Sequence, residues 1–335
     1  MSAPRVARGG ALLPLALRRA LRLAGRHAPA EAAAARAALR VALAPLLRAA
    51  GDPACWGLSL LTDGGYPCEL AFTTRGGGVR YTVEVAPPRQ PPHGRLDQAR
   101  RVVERLGGAV ADPGALAGLR RVQAAGGLRY GAWLGVRHHG GETAFKVYAE
   151  VPPGGREAAL ALLEGGLRRP VGVAGRPAEP RMIGWNPATG ETEFYFGVRG
   201  LRPWEIPALL DPAGLARRGP EVLRLLQAAC ARPIHPRLPG AEHGFSYALG
   251  PGSVSFTFYA FAGALFGDDA RARRRLLALF AALDAPAEPY RQISAPVARH
   301  RGRWMHHGLF GVTVGPAGPP AAHVGLRPPG GSPHG

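Results

Sequence analysis

Lys146 is the residue whose type most strongly suggests chemistry, because it is the only lysine in a chain with 42 lysines and arginines. It lies in the stretch ETAFKVYAEV, residues 142–151, two positions before Tyr148. A compact ammonium kept where the sequence otherwise uses guanidinium indicates a role that a planar group fills poorly. The alternative is a lysine retained by chance on a solvated strand face.

Glu69 and Arg80 occupy comparable positions in two earlier stretches, PCELAFTT and VRYTVEVA, which flank the turn RGGG at residues 75–78. A carboxylate can accept a proton as a general base, and an arginine can bind an anion through charge-assisted hydrogen bonds. The structural alternative is a cross-strand ion pair between the two, which is worth at most about 1 kcal/mol.

Alternation of apolar and polar residues predicts that these stretches are β-strands. In residues 142–151 the apolar side chains share one face, and Lys146 and Tyr148 lie on the other. The stretches ETEFYFGV and SVSFTFYAF follow the same pattern, with Tyr195 on the polar face of the first and Thr257 and Tyr259 on that of the second. Each chemically capable residue is therefore expected on the polar face of a strand.

Ten such strands group into five hairpins, whose turns recur at intervals of roughly 50 to 65 residues, as expected of a repeated supersecondary unit. The predicted strands are residues 67–74, 79–86, 130–138, 142–151, 181–185, 191–198, 243–249, 253–261, 306–314 and 321–327. The predicted helices are residues 11–25, 31–50, 96–106, 115–125, 156–167, 204–210, 221–231 and 269–283. An open sheet of ten strands would leave two exposed edges, so we expect closure into a barrel.

The expected fold class is α+β: a closed ten-stranded antiparallel β-barrel of five hairpins, surrounded by α-helices in repeated αββα units. Because the apolar strand faces must contact the helices, the polar faces should point into the barrel lumen. A ten-stranded barrel is wider than an eight-stranded one, whose side chains fill the interior, so its lumen can hold a ligand. The expected lumen set is Glu69, Arg80, Lys146, Tyr148, Glu191, Glu193, Tyr195, Ser255, Thr257 and Tyr259.

The αββα plan resembles that of the ABBA, or PT-barrel, aromatic prenyltransferases. PCELAF followed by VRYTVEV and FKVYAEV is similar to the dimethylallyltryptophan-synthase branch of that family. The resemblance implies that Glu69 holds the acceptor N–H and takes part in proton removal. It also implies that Arg80, Lys146 and Tyr148 bind the diphosphate.

The third and later hairpins depart from the family pattern. Where the family usually has Arg-x-Lys-x-Tyr, this chain has Glu191, Glu193 and Tyr195, so only the tyrosine carries over. Thr257 and Tyr259 match a polar-x-Tyr pair on the fourth hairpin. The tyrosine of the last hairpin has no counterpart in residues 309–314.

The implied activity is transfer of a prenyl group from an allylic diphosphate to an aromatic or indole acceptor, either a small molecule or a peptide. The resemblance implies prenyl diphosphate as co-substrate, with no metal and no other cofactor. Arg80 and Lys146 would each contribute on the order of 1.5 to 3 kcal/mol to diphosphate binding. Tyr148, Tyr195 and Tyr259, with Thr257 beside them in the substrate pocket, would shield the allyl cation from water, each ring face supplying up to about 2 kcal/mol.

Two other functions remain open from the sequence. Glu191 and Glu193 would repel a diphosphate, which favours a barrel that binds another small ligand without catalysis. The net charge of +19 favours an anionic partner, such as a nucleic acid, an anionic membrane or a small polyanion. A coding bias that favours arginine is the alternative explanation of the charge, so a nucleic-acid-binding protein stays open as the less favoured alternative.

Length alone allows one large domain or two average ones, and the expected barrel makes residues 1–327 a single domain, with a disordered tail over residues 328–335. The 46% hydrophobic content is ordinary for a globular protein. Three widely spaced cysteines without a CxxC pair favour a reducing cytoplasm. Arg18 and Arg19 interrupt the first apolar run too early for a secretory signal, and no segment has the length of a membrane span.

Other catalytic signatures are absent from the sequence. Asp268 and Asp269 lack the second acidic pair of helical isoprenoid synthases, so a helix N-cap is expected there. The adjacent pairs His138–His139 and His306–His307 should diverge along a strand, which argues against a shared metal. The sequence contains no GxxxxGKS or GxxxxGKT, no GxSxG and no HExxH motif.

Overall fold

Ten strands close into one antiparallel barrel in a computed structural model that describes residues 12–49, 56–110, 113–163, 166–167, 171–173, 176–302 and 304–330. The order around the barrel is β1-β12-β11-β10-β9-β8-β7-β4-β3-β2. These strands are β1 (Cys68–Thr73), β2 (Val79–Glu84), β3 (Ala132–His139), β4 (Glu142–Glu150), β7 (Glu179–Trp185), β8 (Thr192–Arg199), β9 (Glu242–Gly250), β10 (Ser253–Phe261), β11 (His307–Val314) and β12 (Ala321–Leu326). The two remaining strands, β5 (Gly172–Val173) and β6 (Arg176–Pro177), form a separate small pair. Pairing of β1 with β12 closes the barrel and confirms the expected architecture.

Hairpin turns join successive strands where the sequence supplies residues that tolerate positive φ. In the two-residue turn between β3 and β4, His139 pairs with Glu142. Gly140 and Gly141 have φ values of 58° and 80° there. Because a two-residue turn of this type needs positive φ at both positions, glycine allows it without steric cost.

Eleven helices precede the first hairpin or lie between successive hairpins in the described parts of the chain. They are α1 (Leu15–Ala24), α2 (Pro29–Ala42), α3 (Ala44–Arg48), α4 (Arg95–Arg105), α5 (Pro113–Ala124), α6 (Arg156–Leu163), α7 (Ile206–Leu210), α8 (Gly219–Cys230), α9 (Ala262–Phe266), α10 (Asp269–Ala282) and α11 (Glu288–Ile293). The predicted helix 31–50 is two helices that are separated at Leu43. Pro45 has no backbone N–H to continue the hydrogen bonding of the first helix, and it lies in the first turn of the second. The sequence patterns do not predict α9, α11 or the pair β5–β6.

The hydrophobic core lies between the outer face of the barrel and the helices. Val83, Val147, Trp185 and Phe256 come from four different strands, and all are completely buried. Helix α2 covers β2 and β3, and α8 and α9 cover β11. The apolar strand faces therefore point outward, as expected, which leaves the polar faces to the lumen.

Some expectations fall partly outside the described residues. The first eleven residues, Cys55 and residues 331–335 are among the parts that the structure leaves undescribed. Cys68 and Cys230 are buried free thiols. In the described helices, none combines the length and the hydropathy needed to cross a membrane.

Candidate active site

Two cavities open at opposite ends of the barrel. The turn-end cavity, about 680 Å³, lies beside the hairpin turns, and Arg80, Lys146, Tyr148, Glu191, Glu193, Tyr195, Ser255, Thr257 and Tyr259 line it. The connection-end cavity, about 1080 Å³, lies where the strands join the helical segments, and Glu69 lines it together with Trp133. The structure thus gathers nine of the ten predicted lumen residues at one end and places Glu69 toward the other.

Lys146 is held in a partly buried ion pair with Glu193. Its Nζ donates to Glu193 Oε2 at 2.7 Å, while the Tyr259 hydroxyl donates to Oε1 at 3.3 Å and the Ser246 hydroxyl donates to the same oxygen. Burial alone would lower the pKa of Lys146 and raise that of Glu193, but their mutual attraction outweighs it, so the pKa of Lys146 is raised and that of Glu193 lowered. Both groups stay charged, and the acid neutralises the lysine.

Three tyrosines form a wall beside this ion pair. The rings of Tyr148 and Tyr195 meet edge to face with centroids 5.9 Å apart, and those of Tyr195 and Tyr259 are also 5.9 Å apart. Burial raises the pKa of each phenol, so all three are neutral at ordinary pH. Thr257, whose hydroxyl lies 2.9 Å from that of Thr313, completes this side of the cavity. Neutral aromatic faces in this arrangement can stabilise a cation.

Three arginines add positive charge to the same cavity, where Glu191 is the one described acid outside the Lys146–Glu193 pair. Arg80 on β2 lies directly opposite Arg137 on β3, and Arg75 lines the same cavity. Burial first, and then the charge of Arg137, lower the pKa of Arg80. Among the described residues none of the three arginines forms an ion pair, although like charges opposite each other on a sheet are destabilising. This arrangement is typical of an anion site.

The Glu69 carboxyl lies in a space left by two glycines. A Cβ added at Gly308 or Gly325 would come within 2.0 or 2.3 Å of it. Burial, followed by the negative charge of Asp63, raises the pKa of Glu69 to about 8. Glu69 pairs across the sheet with Thr82. No ion pair joins Glu69 to Arg80 in the described structure, so the cross-strand ion pair considered from the sequence does not form.

His323 and Arg137 are lumen residues that the sequence reasoning missed. His323 lies on β12 with its ring 5.4 Å from that of Tyr259, and Gly311 leaves room for it. Burial lowers the pKa of His323 to about 4, so its imidazole is neutral. The two-residue periodicity of their strands could have identified both, since His323 and Arg137 alternate with the apolar residues of AAHVGLR and WLGVRHH.

Asp269 connects three histidines near the connection-end cavity. The Nδ1 atoms of His300, His306 and His307 lie 2.7, 2.9 and 2.6 Å from its carboxylate oxygens. The backbone N–H groups of His306 and His307 also donate to it. The expectation that His306 and His307 diverge was wrong, because His306 precedes the first residue of β11 and both rings turn to one acid.

This cluster offers the donor atoms of a metal site, since the ligand atoms of Asp269, His300 and His306 lie within 4.8 Å of one another. Hydrogen bonds account for the same geometry, because each carboxylate oxygen already accepts a backbone N–H. Asp268 is the N-cap of α10 and accepts from the Arg271 N–H, as expected from the sequence. We therefore interpret the cluster, which we call the Asp269 cluster, as an anchor for His300, His306 and His307.

Replacing Asp269 with asparagine is expected to lower the free energy of unfolding by about 1 to 3 kcal/mol, because buried donors lose a charged acceptor. Although burial would raise the pKa of Asp269, hydrogen bonds from His306 and His307 hold it well below its ordinary value. The stabilisation is therefore complete above the ordinary carboxyl pKa of 3.8 and lost as the pH falls below it. Urea unfolding at several pH values tests this. An equal difference at neutral and strongly acidic pH would contradict it.

No protein-family profile matches the sequence, and no curated protein matches it. Several solved structures match this chain over nearly its whole length. The chain is similar to 6-dimethylallyltryptophan synthase from Micromonospora olivasterospora, in complex with DMASPP and Trp, at 20% identity and a TM-score of 0.72 over 93% of this chain and 96% of that one. It is similar to 5-dimethylallyltryptophan synthase from Streptomyces coelicolor, also with DMASPP and Trp, at 17% identity and a TM-score of 0.71 over 95% and 96%.

AnaPT from Neosartorya fischeri matches at 14% identity and a TM-score of 0.65, over 93% of this chain and 91% of that one. Each match spans nearly the whole of both proteins, and each barrel superimposes despite low identity. The chain therefore has the ten-stranded barrel fold of the ABBA prenyltransferases.

Proposed function

We propose that this protein is an aromatic prenyltransferase. The observation that carries the proposal is the order of groups along one lumen: arginines without an ion pair among the described residues at the turn end, then a wall of three tyrosines, then a carboxyl with a pKa near 8 toward the connection end. An allylic diphosphate and an aromatic ring need these groups in this order. The matched dimethylallyltryptophan synthases, which were solved with DMASPP and Trp, support the proposal.

The reaction would start at the turn end. Arg80, Arg137 and Arg75 would bind the diphosphate and stabilise its charge as the bond between the allylic carbon and oxygen breaks. Tyr148, Tyr195 and Tyr259 would surround the allyl cation and exclude water. The tyrosine hydroxyls are neutral and so offer no anionic oxygen that would capture the cation.

The acceptor ring would then attack the cation from the side of Glu69. A new carbon–carbon or carbon–nitrogen bond forms, and the ring proton is transferred to the Glu69 carboxylate as general base. Burial is the main cause that raises the pKa of Tyr148, and the charge of Glu69 adds to it, which supports placing the carboxylate along the same lumen as the tyrosine wall. Diphosphate leaves by the turn end.

The Lys146–Glu193 ion pair changes the role that the family resemblance assigns to Lys146. Because Glu193 neutralises its charge, Lys146 would position the donor and Glu193 without adding net attraction for a diphosphate. The arginines would supply that attraction instead. Three guanidinium groups replace the charge that a divalent cation would bring, so we also propose that the reaction needs no metal.

A second candidate function follows from the same ion pair. A barrel whose lysine is already neutralised could bind a less charged ligand without catalysis. In that case the lumen would keep its affinity for aromatic compounds but would not bind a diphosphate.

We also propose that the protein works in the cytoplasm, which the reduced thiols of Cys68 and Cys230 support.

Mass spectrometry of purified protein with dimethylallyl or geranyl diphosphate and a set of indoles and phenols tests the main proposal. We expect a product heavier by one prenyl group, formed at the same rate in EDTA. Loss of turnover in EDTA that added Mg²⁺ restores would contradict metal independence alone. Absence of product with every donor, together with no binding of pyrophosphate, would favour the second candidate.

A further inference from the structure

His323 lies between the two sets of residues that the proposed reaction uses at the turn end of the barrel. Its strand, β12, is separated from Arg80 on β2 by β1 and from Tyr259 on β10 by β11. All three side chains line the turn-end cavity. A donor with its diphosphate on Arg80 and its allyl group against Tyr259 would therefore pass His323 at the bond that joins the two groups.

The residues next to His323 in the sheet leave its imidazole free to reach the lumen. Its partner on β11 is Gly311, which also pairs with Tyr259 on β10. A Cβ added at Gly311 would come within 2.0 Å of His323 Nε2, so the imidazole lies over the glycine. The rings of His323 and Tyr259 meet edge to face, with centroids 5.4 Å apart. The partner on β1, Thr73, is short as well, so the imidazole projects past both neighbouring strands.

No described residue forms a hydrogen bond with the imidazole of His323, whereas two other buried histidines are paired on both nitrogens. Each ring nitrogen of His138 and of His307 lies within hydrogen-bond distance of a side-chain oxygen. The nitrogens of His323 are unpaired but not enclosed, since neither is among the buried polar atoms that lack a partner. A neutral imidazole offers one N–H donor and one acceptor, and here a ligand in the cavity can reach both.

The groups around His323 account for its neutral state. Burial is the main cause that lowers its pKa to about 4, while the charge of Glu193 acts against burial and that of Arg80 acts with it. Tyr259 is neutral, and the partners of His323 on β1 and β11 do not titrate. The three arginines of the cavity would balance most of the charge of a bound diphosphate, so we expect the imidazole to stay neutral in the complex.

We propose that the neutral imidazole of His323 donates its N–H to the donor oxygen that links the diphosphate to the allylic carbon. The proposal rests on the proposed function, since it takes an allylic diphosphate to occupy the turn-end cavity. When the bond between carbon and oxygen breaks, its electron pair stays on that oxygen, and the hydrogen bond stabilises the negative charge that develops there. No proton is transferred, so His323 ends the step in the state in which it began.

A neutral donor suits this position because the allyl cation forms beside it. An imidazolium next to Tyr259 would repel that cation and offset the stabilisation that the tyrosine faces provide. A neutral imidazole gives a hydrogen bond to the leaving oxygen without adding a positive charge. The burial that keeps His323 neutral therefore serves the same step as its hydrogen bond.

Steady-state kinetics of His323→Leu and His323→Gln test the proposal. Leucine occupies similar space but has no N–H to donate, whereas the amide of glutamine still has one. We expect His323→Leu to lower kcat by about 10²- to 10³-fold, the usual loss for one donor to a developing negative charge, with the KM for the prenyl diphosphate changed less than about threefold. His323→Gln should recover most of that loss. The matched control is His235→Leu, which should keep the wild-type rate, since His235 is exposed and lines neither cavity.

Two measurements with pyrophosphate complete the test. Calorimetry should show that both His323 variants bind it with nearly the wild-type affinity, which also shows that they keep the fold. NMR of the imidazole, with the His323 resonance assigned by its loss in His323→Gln, should show a neutral ring at pH 7 in the pyrophosphate complex, as well as a change of its resonance on binding.

A wild-type kcat in His323→Leu, an equal loss of kcat in both variants, or a rise in KM alone would overturn the proposal. A protonated imidazole at neutral pH in the pyrophosphate complex would do the same. If pyrophosphate changes the His323 resonance but the wild-type protein turns over no prenyl donor, the proposed transferase activity fails. The catalytic role of His323 fails with it, and His323 is then a ligand of the diphosphate alone.

Discussion

Replacement of Glu69 with glutamine is expected to lower kcat by about 10²- to 10⁴-fold, the usual contribution of a general base. Glutamine keeps the shape of the side chain and can still accept a hydrogen bond from the acceptor N–H, but it cannot take the proton. The space between Gly308 and Gly325 fits either side chain. Steady-state rates with saturating donor and acceptor measure the change.

The role of Glu69 as general base also predicts how kcat/KM of the wild-type enzyme depends on pH. Because burial raises the pKa of Glu69 to about 8, the carboxyl is mostly protonated at neutral pH and is a base only above that value. We expect kcat/KM to rise about tenfold per pH unit up to about pH 8 and then to level off, since kcat/KM reports the free enzyme.

Glu242→Gln is the matched control for this residue, because Glu242 is a surface acid paired with Arg199 and lines neither cavity. It should keep both the rate and the pH profile. A kcat/KM that does not vary between about pH 6 and 9, or a Glu69→Gln enzyme with the wild-type rate, would rule out the carboxylate as the base.

Arg80→Ala and Arg137→Ala are each expected to weaken pyrophosphate binding by about 10- to 150-fold, which corresponds to about 1.5 to 3 kcal/mol per charge-assisted hydrogen bond. Arg80 and Arg137 are opposite residues on β2 and β3, and neither forms an ion pair with a described residue. Loss of either one also relieves repulsion in the free protein, so the variants should be no less stable than the wild type. Calorimetry at fixed ionic strength measures the affinity.

Two further variants distinguish diphosphate binding by Arg80 and Arg137 from the binding by Lys146 that the family resemblance also implies. Glu193→Gln frees the charge of Lys146 and should tighten pyrophosphate binding, at some loss of stability. Arg199→Ala is the matched control, since Arg199 is a surface arginine paired with Glu242 and lines neither cavity. If Lys146→Ala abolished binding while Arg137→Ala left it unchanged, Lys146 would be the main diphosphate ligand and the arginine site would be wrong.

The sequence alone predicted the barrel, because the strand faces and the hairpin turns from which closure was inferred are set by patterns that are local along the chain. Alternating residues set which face of each strand is apolar, and glycine-containing turns set the five hairpins. The ten apolar strand faces must be covered by helices on the outside of the sheet. Closure of the ten strands into a barrel removes the two edges that an open sheet would expose. The two-residue alternation within each strand also assigns Lys146, Tyr148, Tyr195 and Tyr259 to lumen faces. This assignment uses only the sequence of the strand itself and not its neighbours in the sheet.

Only the tertiary structure decided what each lumen residue contacts. Lys146 on β4 and Glu193 on β8 are 47 positions apart and are separated by β7. They meet because Gly184 on β7 has no side chain between them. Alternation assigns a face to each residue but not its height along the barrel or its partners across the lumen, since these follow from strand register and closure. For that reason the separation of Glu69 from the arginines, the Arg80–Arg137 pair and the Asp269 cluster became visible only in the folded chain.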